Sequence, residues 1–155
     1  MELIEIRKEN GLTQKAAASL VGIPYRTYVR YEENESYRDS YKYKKILDDL
    51  LNLTRIDEEH GVLSISKIRE VLLPILDKHN VSFCYLFGSY ARGEARENSD
   101  VDLLIQTDIT GMAFFKLVEE MRTALKKKVD LLPINVIQPS NPISLDILKY
   151  GKRIL

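Results

Sequence analysis

The chain has 155 residues, of which 45% are hydrophobic and 30% are charged, enough for one domain or two small ones with a real core. Its 23 Lys and Arg balance its 23 Asp and Glu, which excludes a protein that adheres to polyanions through bulk charge. No apolar run predicts a membrane helix or a signal peptide, and one cysteine, Cys84, excludes an internal disulfide framework. We therefore expect a cytoplasmic protein without a membrane partner.

The first third of the sequence is helical in pattern and rich in tyrosine. Caps and apolar spacing predict four helices, over residues 2–9, 13–20, 24–33 and 41–53. The polar segment 54–61 ends in Gly61, which is typical of a linker. We therefore predict two domains, over residues 1–57 and 62–155.

The second and third predicted helices are joined by a turn that contains Gly22. Two short helices linked in this way are typical of a helix-turn-helix motif, and glycine suits a turn with positive φ. Arg26 and Arg30 are four residues apart, so both lie on one face of the second helix. The N-terminal end of that helix approaches base edges in this motif. We therefore predict DNA contacts from Tyr25, Arg26, Thr27 and Arg30.

This segment resembles the Xre/Cro-like family of DNA-binding domains over about residues 1–53. The resemblance rests on Gly11-Leu12-Thr13-Gln14, Ala17, Leu20-Val21-Gly22-Ile23, Thr27 and Arg30-Tyr31-Glu32. It implies an operator DNA partner and a homodimer. The alternative that stays open is a helical bundle whose arginine face is solvated or docks on protein. The acids that follow the arginine pair would repel phosphate if they faced it; they are Glu32, Glu33 and Glu35.

The second part alternates helices with strands, which indicates an α/β or α+β fold. Ser64 or Ser66 caps the first predicted helix, which runs to residue 78. Strands are predicted over residues 81–87, 100–106 and 129–135, and further helices over 111–128 and 143–150. Cys84 falls in the first strand and is expected in the core, whereas Lys126-Lys127-Lys128 is expected as a solvated helix end.

A Gly-Ser turn follows the first predicted strand of this part. Gly88 lets the backbone approach a ligand closely. Backbone N–H groups at the following helix start, together with the Ser89 hydroxyl, are suited to a phosphate. Arg92 lies about one turn further on and can add a charge-assisted contact. We therefore predict nucleotide binding by Gly88, Ser89 and Arg92.

Three acidic residues fall on the other two predicted strands. Asp100 and Asp102 are two residues apart, so both carboxylates lie on one face of a strand. Like charges this close favour a cation between them, and oxygen ligands beside phosphates favour Mg²⁺. Asp130 is the one acid in an otherwise apolar strand. We predict that all three hold Mg²⁺ and act in catalysis, with Asp130 as local base for an incoming hydroxyl.

The stretch resembles the minimal nucleotidyltransferase family of the polymerase-β superfamily, whose signature is Gly-Ser, ten residues, then Asp-x-Asp. Gly88-Ser89 and Asp100-Val101-Asp102 match it with ten residues between them, and Val129-Asp130-Leu131 matches further along. The resemblance covers about residues 64–155. It implies a small mixed sheet with helices on one side, and transfer of AMP from ATP to a hydroxyl with Mg²⁺ and loss of pyrophosphate. The expected fold is α+β, with an all-α helix-turn-helix domain first.

Small members of this family are typically antitoxins that pair with a helical HEPN-domain toxin and are thought to adenylylate one of its tyrosines. A fused DNA-binding domain fits an antitoxin that also represses its own operon. The first expectation is therefore an enzyme-antitoxin, as a homodimer or in a hetero-oligomer with its toxin. The second is a non-catalytic repressor that neutralises its toxin by docking alone. A small-molecule nucleotidyltransferase would need more sequence for an acceptor-binding domain.

Overall fold

The computed structural model describes all residues from Met1 to Leu155. They form two compact units, Met1–Arg55 and Ile56–Leu155. None of the helices combines the length and the apolar character that crossing a bilayer requires.

The first unit is entirely helical. Thr13 and Ser40 cap two of its helices, because each hydroxyl accepts a hydrogen bond from a backbone N–H three residues ahead. A 3₁₀ turn covers Glu35–Tyr37. The four α-helices lie where the sequence predicts them: α1 (Leu3–Glu9), α2 (Gln14–Leu20), α3 (Tyr25–Glu33) and α4 (Tyr41–Leu53).

The core of this unit draws on every helix. Tyr28 on α3 is fully buried, as are Leu3 and Leu50, and Ala17 lies where α2 meets its neighbours. The helix-turn-helix pattern predicts a buried apolar side chain at Leu20. Leu20 is instead 42% exposed at the end of α2. The helix-turn-helix thus packs through Tyr28 and small alanines.

The second unit is built around a four-stranded sheet. Strand β1 pairs antiparallel with β2 and with β4, whereas β2 and β3 are parallel, and the order across the sheet is β3-β2-β1-β4. The α+β fold with a small mixed sheet is therefore confirmed. Its elements are α5 (Ile65–Lys78), β1 (Phe83–Phe87), α6 (Gly88–Arg92), β2 (Val101–Gln106), α7 (Met112–Leu125), β3 (Val129–Pro133), α8 (Pro142–Tyr150) and β4 (Lys152–Arg153).

The core of the second unit lies between the sheet and helices α5 and α7. Leu72 on α5 and Leu117 on α7 are fully buried together with Leu103 and Ile105 of β2. Cys84 is in this core, as expected, and burial raises the pKa of its thiol to about 12. Alternation along β2 turns Asp102, which lies between the buried Val101 and Leu103, to the opposite face.

Two strands differ from the pattern-based prediction. The third predicted strand was expected to reach residue 135 but ends at Pro133, because a 3₁₀ turn over Ile134–Val136 takes over. The first was expected from residue 81 but begins at Phe83. Strand β4 was not predicted, since its two residues carry no periodic pattern; it is held by pairing with β1.

The prediction of a solvated lysine run was wrong for its middle residue. Lys127 is fully buried, and its ammonium donates to the backbone carbonyl oxygens of His60 and Glu97. Burial lowers the pKa of Lys127, and the two carbonyl acceptors compensate for the lost hydration. Lys126 and Lys128 on either side are exposed.

Candidate active site

Gly88 and Ser89 directly follow β1 and are the first two residues of the five-residue helix α6. Gly88 has φ +69°, in the left-handed region, and a Cβ added to it would overlap the carboxylate of Asp102. Only glycine therefore permits this turn to lie against the acidic residues of β2. The backbone thus brings the predicted phosphate turn and the predicted metal ligands together.

Ser89 follows at the start of α6 and is partly exposed. Its hydroxyl forms no hydrogen bond within the chain, whereas its carbonyl oxygen accepts from the N–H groups of Gly93 and Glu94. The side chain is therefore available to a ligand at the turn. Gly93, with φ +74°, ends the helix.

Arg92 is held by two carboxylates. Its Nε donates to Glu94 at 2.9 Å and its Nη1 donates to Asp146 at 2.8 Å. Hydrogen bonds from Arg92 to Glu94 and to Asp146 raise the pKa of the guanidinium. Asp146 also accepts from the Gly88 N–H at 3.1 Å. The sequence prediction missed Asp146, because no local motif marks an acid in the last helix and only the fold brings it to residue 88.

The three predicted acids meet at one end of the sheet. Asp102 and Asp130 are directly opposite in the parallel β2–β3 register, and Asp100 precedes Asp102 by two residues. Burial raises the pKa of Asp102 to about 6, and the charges of Asp130, Asp100 and Asp146 add to this while Arg92 opposes it. Asp100 and Asp130 are exposed at the same end. The site is thus an open cluster of carboxylates that repel each other.

The donor set fits a hard divalent cation. No three His, Cys, Asp or Glu side chains of the chain are grouped closely enough to enclose a metal ion as they stand. The carboxylates are nonetheless near enough to raise the pKa of Asp102 by their charge, and a cation between them would remove that repulsion. Oxygen donors of this kind suit Mg²⁺. Asp100, Asp102 and Asp130 are the residues that would hold it.

A cleft of about 360 Å³ opens on the β3 side of these acids, away from the Gly88 turn. Helix α7 forms one wall and β3, the edge strand, forms the other. Its lining is both charged and apolar, and consists of Asp100, Val118, Glu119, Arg122, Lys128, Val129 and Asp130. The acids therefore separate a phosphate-type turn from a second open space.

The predicted DNA-contacting residues all lie on α3. Tyr25, Arg26 and Arg30 are exposed and Thr27 is partly so. The Arg30 guanidinium lies 5.6 Å from the Tyr31 ring centroid and 5.8 Å from that of Tyr37, which limits where this cation can reach.

The acid that follows the arginines most closely turns inward. The Glu32 side chain is 1% exposed and accepts from Arg7 Nε at 2.8 Å and from Gln14 at 2.9 Å. Burial alone would raise the pKa of Glu32, but the hydrogen bonds from Arg7 and Gln14 outweigh it and hold that pKa below its usual range. Glu32 therefore does not face an approaching phosphate, whereas Glu33 and Glu35 are exposed.

The fold and this cluster define a nucleotidyltransferase domain that follows a helix-turn-helix domain. Residues 70–155 match the polymerase beta nucleotidyltransferase family, and residues 3–38 match a helix-turn-helix family. The first match spans more than half of the 155 residues. The chain therefore belongs to the polymerase beta nucleotidyltransferase family.

Relatives with named activities are similar to about half of the chain. A candidate protein adenylyltransferase of Methanocaldococcus jannaschii, MJ0435, is 40% identical over 80 residues, which are 50% of this chain and 85% of the relative. The protein adenylyltransferase MntA of Shewanella oneidensis is 29% identical over 94 residues, 59% of this chain and 65% of that protein.

Two solved structures share the fold. One, of a candidate minimal nucleotidyltransferase, has a TM-score of 0.50 and 28% identity, and the match covers 63% of this chain and 96% of that one. The other is a toxin–antitoxin structure with AMP-PNP, with a TM-score of 0.50 and 23% identity over 56% of this chain and 72% of that one.

Proposed function

We propose that this chain is an Mg²⁺-dependent adenylyltransferase that moves AMP from ATP to a hydroxyl group of a protein. The observation that carries the proposal is the approach of Gly88 to Asp102, with Asp130 opposite Asp102 in the sheet. It joins the proposed phosphate-binding turn to Asp102, whose spacing from Gly88-Ser89 is that of the family signature. The names of the relatives as protein adenylyltransferases support adenylyl transfer to protein.

Each residue of the cluster then has a distinct role. Ser89 offers a free hydroxyl and Arg92 a cation to the phosphates that leave as pyrophosphate. Asp100, Asp102 and Asp130 would hold Mg²⁺, which supplies charge neutralisation at the phosphoryl group when bound. Asp130 also accepts the proton of the attacking hydroxyl. In-line displacement requires the acceptor to approach opposite the leaving group, and we assign this approach to the β3 cleft.

The acceptor that we propose is a tyrosine of a cognate HEPN-domain toxin, so that the chain acts as an antitoxin. The name of the S. oneidensis relative, protein adenylyltransferase MntA, supports a protein acceptor. The tyrosine and the HEPN-domain toxin follow from the resemblance to the minimal nucleotidyltransferase family. The charged rim of the β3 cleft, with Arg122 and Lys128 beside Val118, suits a polypeptide segment better than a small neutral molecule.

The test is transfer of labelled AMP to a co-expressed HEPN-domain partner from the same operon, followed by mass spectrometry of that partner. Asp102→Asn and Asp130→Asn should each lower transfer by about 10²-fold or more. Asp108→Asn is the matched control, because Asp108 is an exposed acid just after β2 and outside the cluster. Transfer that survives both site variants would overturn the catalytic assignment. Neutralisation by Asp100→Asn/Asp102→Asn without transfer would instead support docking alone.

We further propose that the first unit binds operator DNA through α3 as a homodimer, for autoregulation. The helix-turn-helix match over residues 3–38 and the exposed Arg26 and Arg30 support this. Mobility-shift titration with the DNA upstream of the operon should show about 1–3 kcal/mol weaker binding for Arg26→Ala or Arg30→Ala. Lys45→Ala, an exposed lysine on α4, is the control. Unchanged affinity in both arginine variants would place recognition elsewhere.

A further inference from the structure

A single carboxylate joins the two ends of helix α6. Asp146 Oδ2 accepts from the Gly88 N–H at 3.1 Å, and Asp146 Oδ1 accepts from Arg92 Nη1 at 2.8 Å. Gly88 and Arg92 are the first and last residues of α6. Asp146 comes from α8, 58 residues after Gly88. The contact therefore ties the last helix of the chain to the turn that carries Ser89.

Helix α6 has little to hold it in place on its own. It has five residues, and Phe87 provides no side-chain cap, so its helical form does not follow from local sequence. Asp146 supplies the acceptor that a cap would provide, and its bond to the guanidinium is charge-assisted. The Asp146 side chain is 24% exposed, which leaves it partly shielded from competing water.

Helix α8 is capped at its start and contacts the sheet, although none of its residues is fully buried. Asn141 caps it, because its side chain accepts from the Ile143 N–H, and Pro142 takes the first helical position. The helix packs against α6 and β1. Asp146 is thus linked to the sheet that carries the acids.

We propose that Asp146 is a positioning residue for nucleotide binding: it clamps Gly88 and Arg92 so that the Ser89 hydroxyl faces the phosphates. The inference rests on the proposed function, because it takes the Gly88–Ser89 turn as the phosphate site. Asp146 acts through these residues, with no contact of its own to the substrate.

The direction in which nucleotide affinity changes distinguishes a positioning role of Asp146 from a purely electrostatic one. Asp146 is a negative group close to the acids, and removal of its charge would by itself favour an incoming triphosphate. A clamp predicts the opposite result, since Ser89 and Arg92 lose their fixed arrangement. Weaker nucleotide binding after neutralisation of Asp146 is therefore specific to a positioning role.

The test uses the full chain, Mg²⁺ and the ATP analogue AMP-PNP, with the dissociation constant measured by calorimetry. Asp146→Ala should raise that constant about tenfold, and the isosteric Asp146→Asn, which keeps one acceptor oxygen, should raise it less. Amide exchange in a peptide that covers residues 88–92 should become faster in both. Leu148→Ala is the control, because Leu148 lies on the same helix and is 82% exposed.

The outcomes distinguish this inference from the proposed function. If Asp146→Ala does not fold, Asp146→Asn carries the test. An unchanged or lower dissociation constant in Asp146→Asn would overturn the positioning role while nucleotide binding stands. Wild-type protein that does not bind AMP-PNP with Mg²⁺ would instead overturn the proposed function. If Leu148→Ala loses as much affinity as Asp146→Asn, helix α8 gives only general support to the site. That result would overturn the positioning role of Asp146.

Discussion

Gly88 lies so close to Asp102 that any side chain on Gly88 would overlap the Asp102 carboxylate. Gly93, at the other end of α6, has a similar φ of +74° but no atom within 4 Å of an added Cβ. The two glycines therefore share their backbone requirement and differ only in what they touch. This difference makes them a matched pair for mutagenesis.

Gly88→Ala should abolish AMP transfer, whereas Gly93→Ala should leave it largely intact. Both substitutions place a side chain in the left-handed region and should cost about 1–2 kcal/mol of unfolding free energy. Only Gly88→Ala displaces the Asp102 carboxylate, and a displacement of about 1 Å costs about 10²-fold in rate. Labelled-AMP transfer and urea unfolding measure the two effects separately. Equal activity in the two variants would show that the approach to Asp102 has no catalytic importance.

Asp102 should make the metal-free protein less stable as the pH rises. Its pKa is raised to about 6 by burial and by Asp130, Asp100 and Asp146, so the folded state favours the protonated carboxyl. The stabilisation that the protonated Asp102 carboxyl provides is therefore fully present below its pKa in the unfolded chain, which is about 3.9. It is lost as the pH rises through the folded-state pKa of about 6. With allowance for partial exposure, we expect a loss of about 1–2 kcal/mol between about pH 4 and pH 7.

Urea unfolding in chelator-treated buffer measures this loss. Asp102→Asn should remove the pH dependence and be the more stable protein at neutral pH. Mg²⁺ should restore stability to the wild type there and leave Asp102→Asn unchanged, since a bound cation removes the repulsion. A wild-type stability that rises through this pH range would contradict the assignment of the Asp102 pKa.

Local rules account for the parts of the site that lie within one stretch of chain. Period two places Asp100 and Asp102 on one face, and an acid among apolar strand residues singles out Asp130. These two features are predictable because each depends on a few neighbouring residues. The register that brings Asp130 opposite Asp102 is a property of the folded sheet.

Asp146 and Lys127 were beyond such rules for the same physical reason. Asp146 takes its importance from Gly88 and Arg92, which are more than fifty residues away. Lys127 is buried because two carbonyl groups from distant loops accept hydrogen bonds from its ammonium. A lysine run at a helix end is ordinarily solvated. No periodicity records partners of this kind, so only the folded chain reveals them.

Removal of one partner of the Arg7–Glu32 ion pair should destabilise the helix-turn-helix unit strongly. Glu32 is 1% exposed and Arg7 14%, so Arg7→Ala would leave a buried charge without its partner, at a cost of about 3 kcal/mol. Lys45→Ala breaks the exposed pair with Asp49 and should cost less than about 0.5 kcal/mol. Urea unfolding, with amide exchange to localise the loss to residues 1–55, compares them. Similar costs for the two variants would mean that the buried pair contributes no more than a surface one.

Lys127→Met should destabilise the second unit, because it leaves the carbonyl groups of His60 and Glu97 without their donor. We expect a cost of about 2 kcal/mol, in the range for buried polar groups that lose a partner. Lys126→Met is the control, since Lys126 is adjacent and exposed. Thermal unfolding of both variants decides the matter. If Lys127→Met is as stable as Lys126→Met, the ammonium of Lys127 is not needed. Packing of the aliphatic part of the side chain would then be enough to hold the segment between α7 and β3.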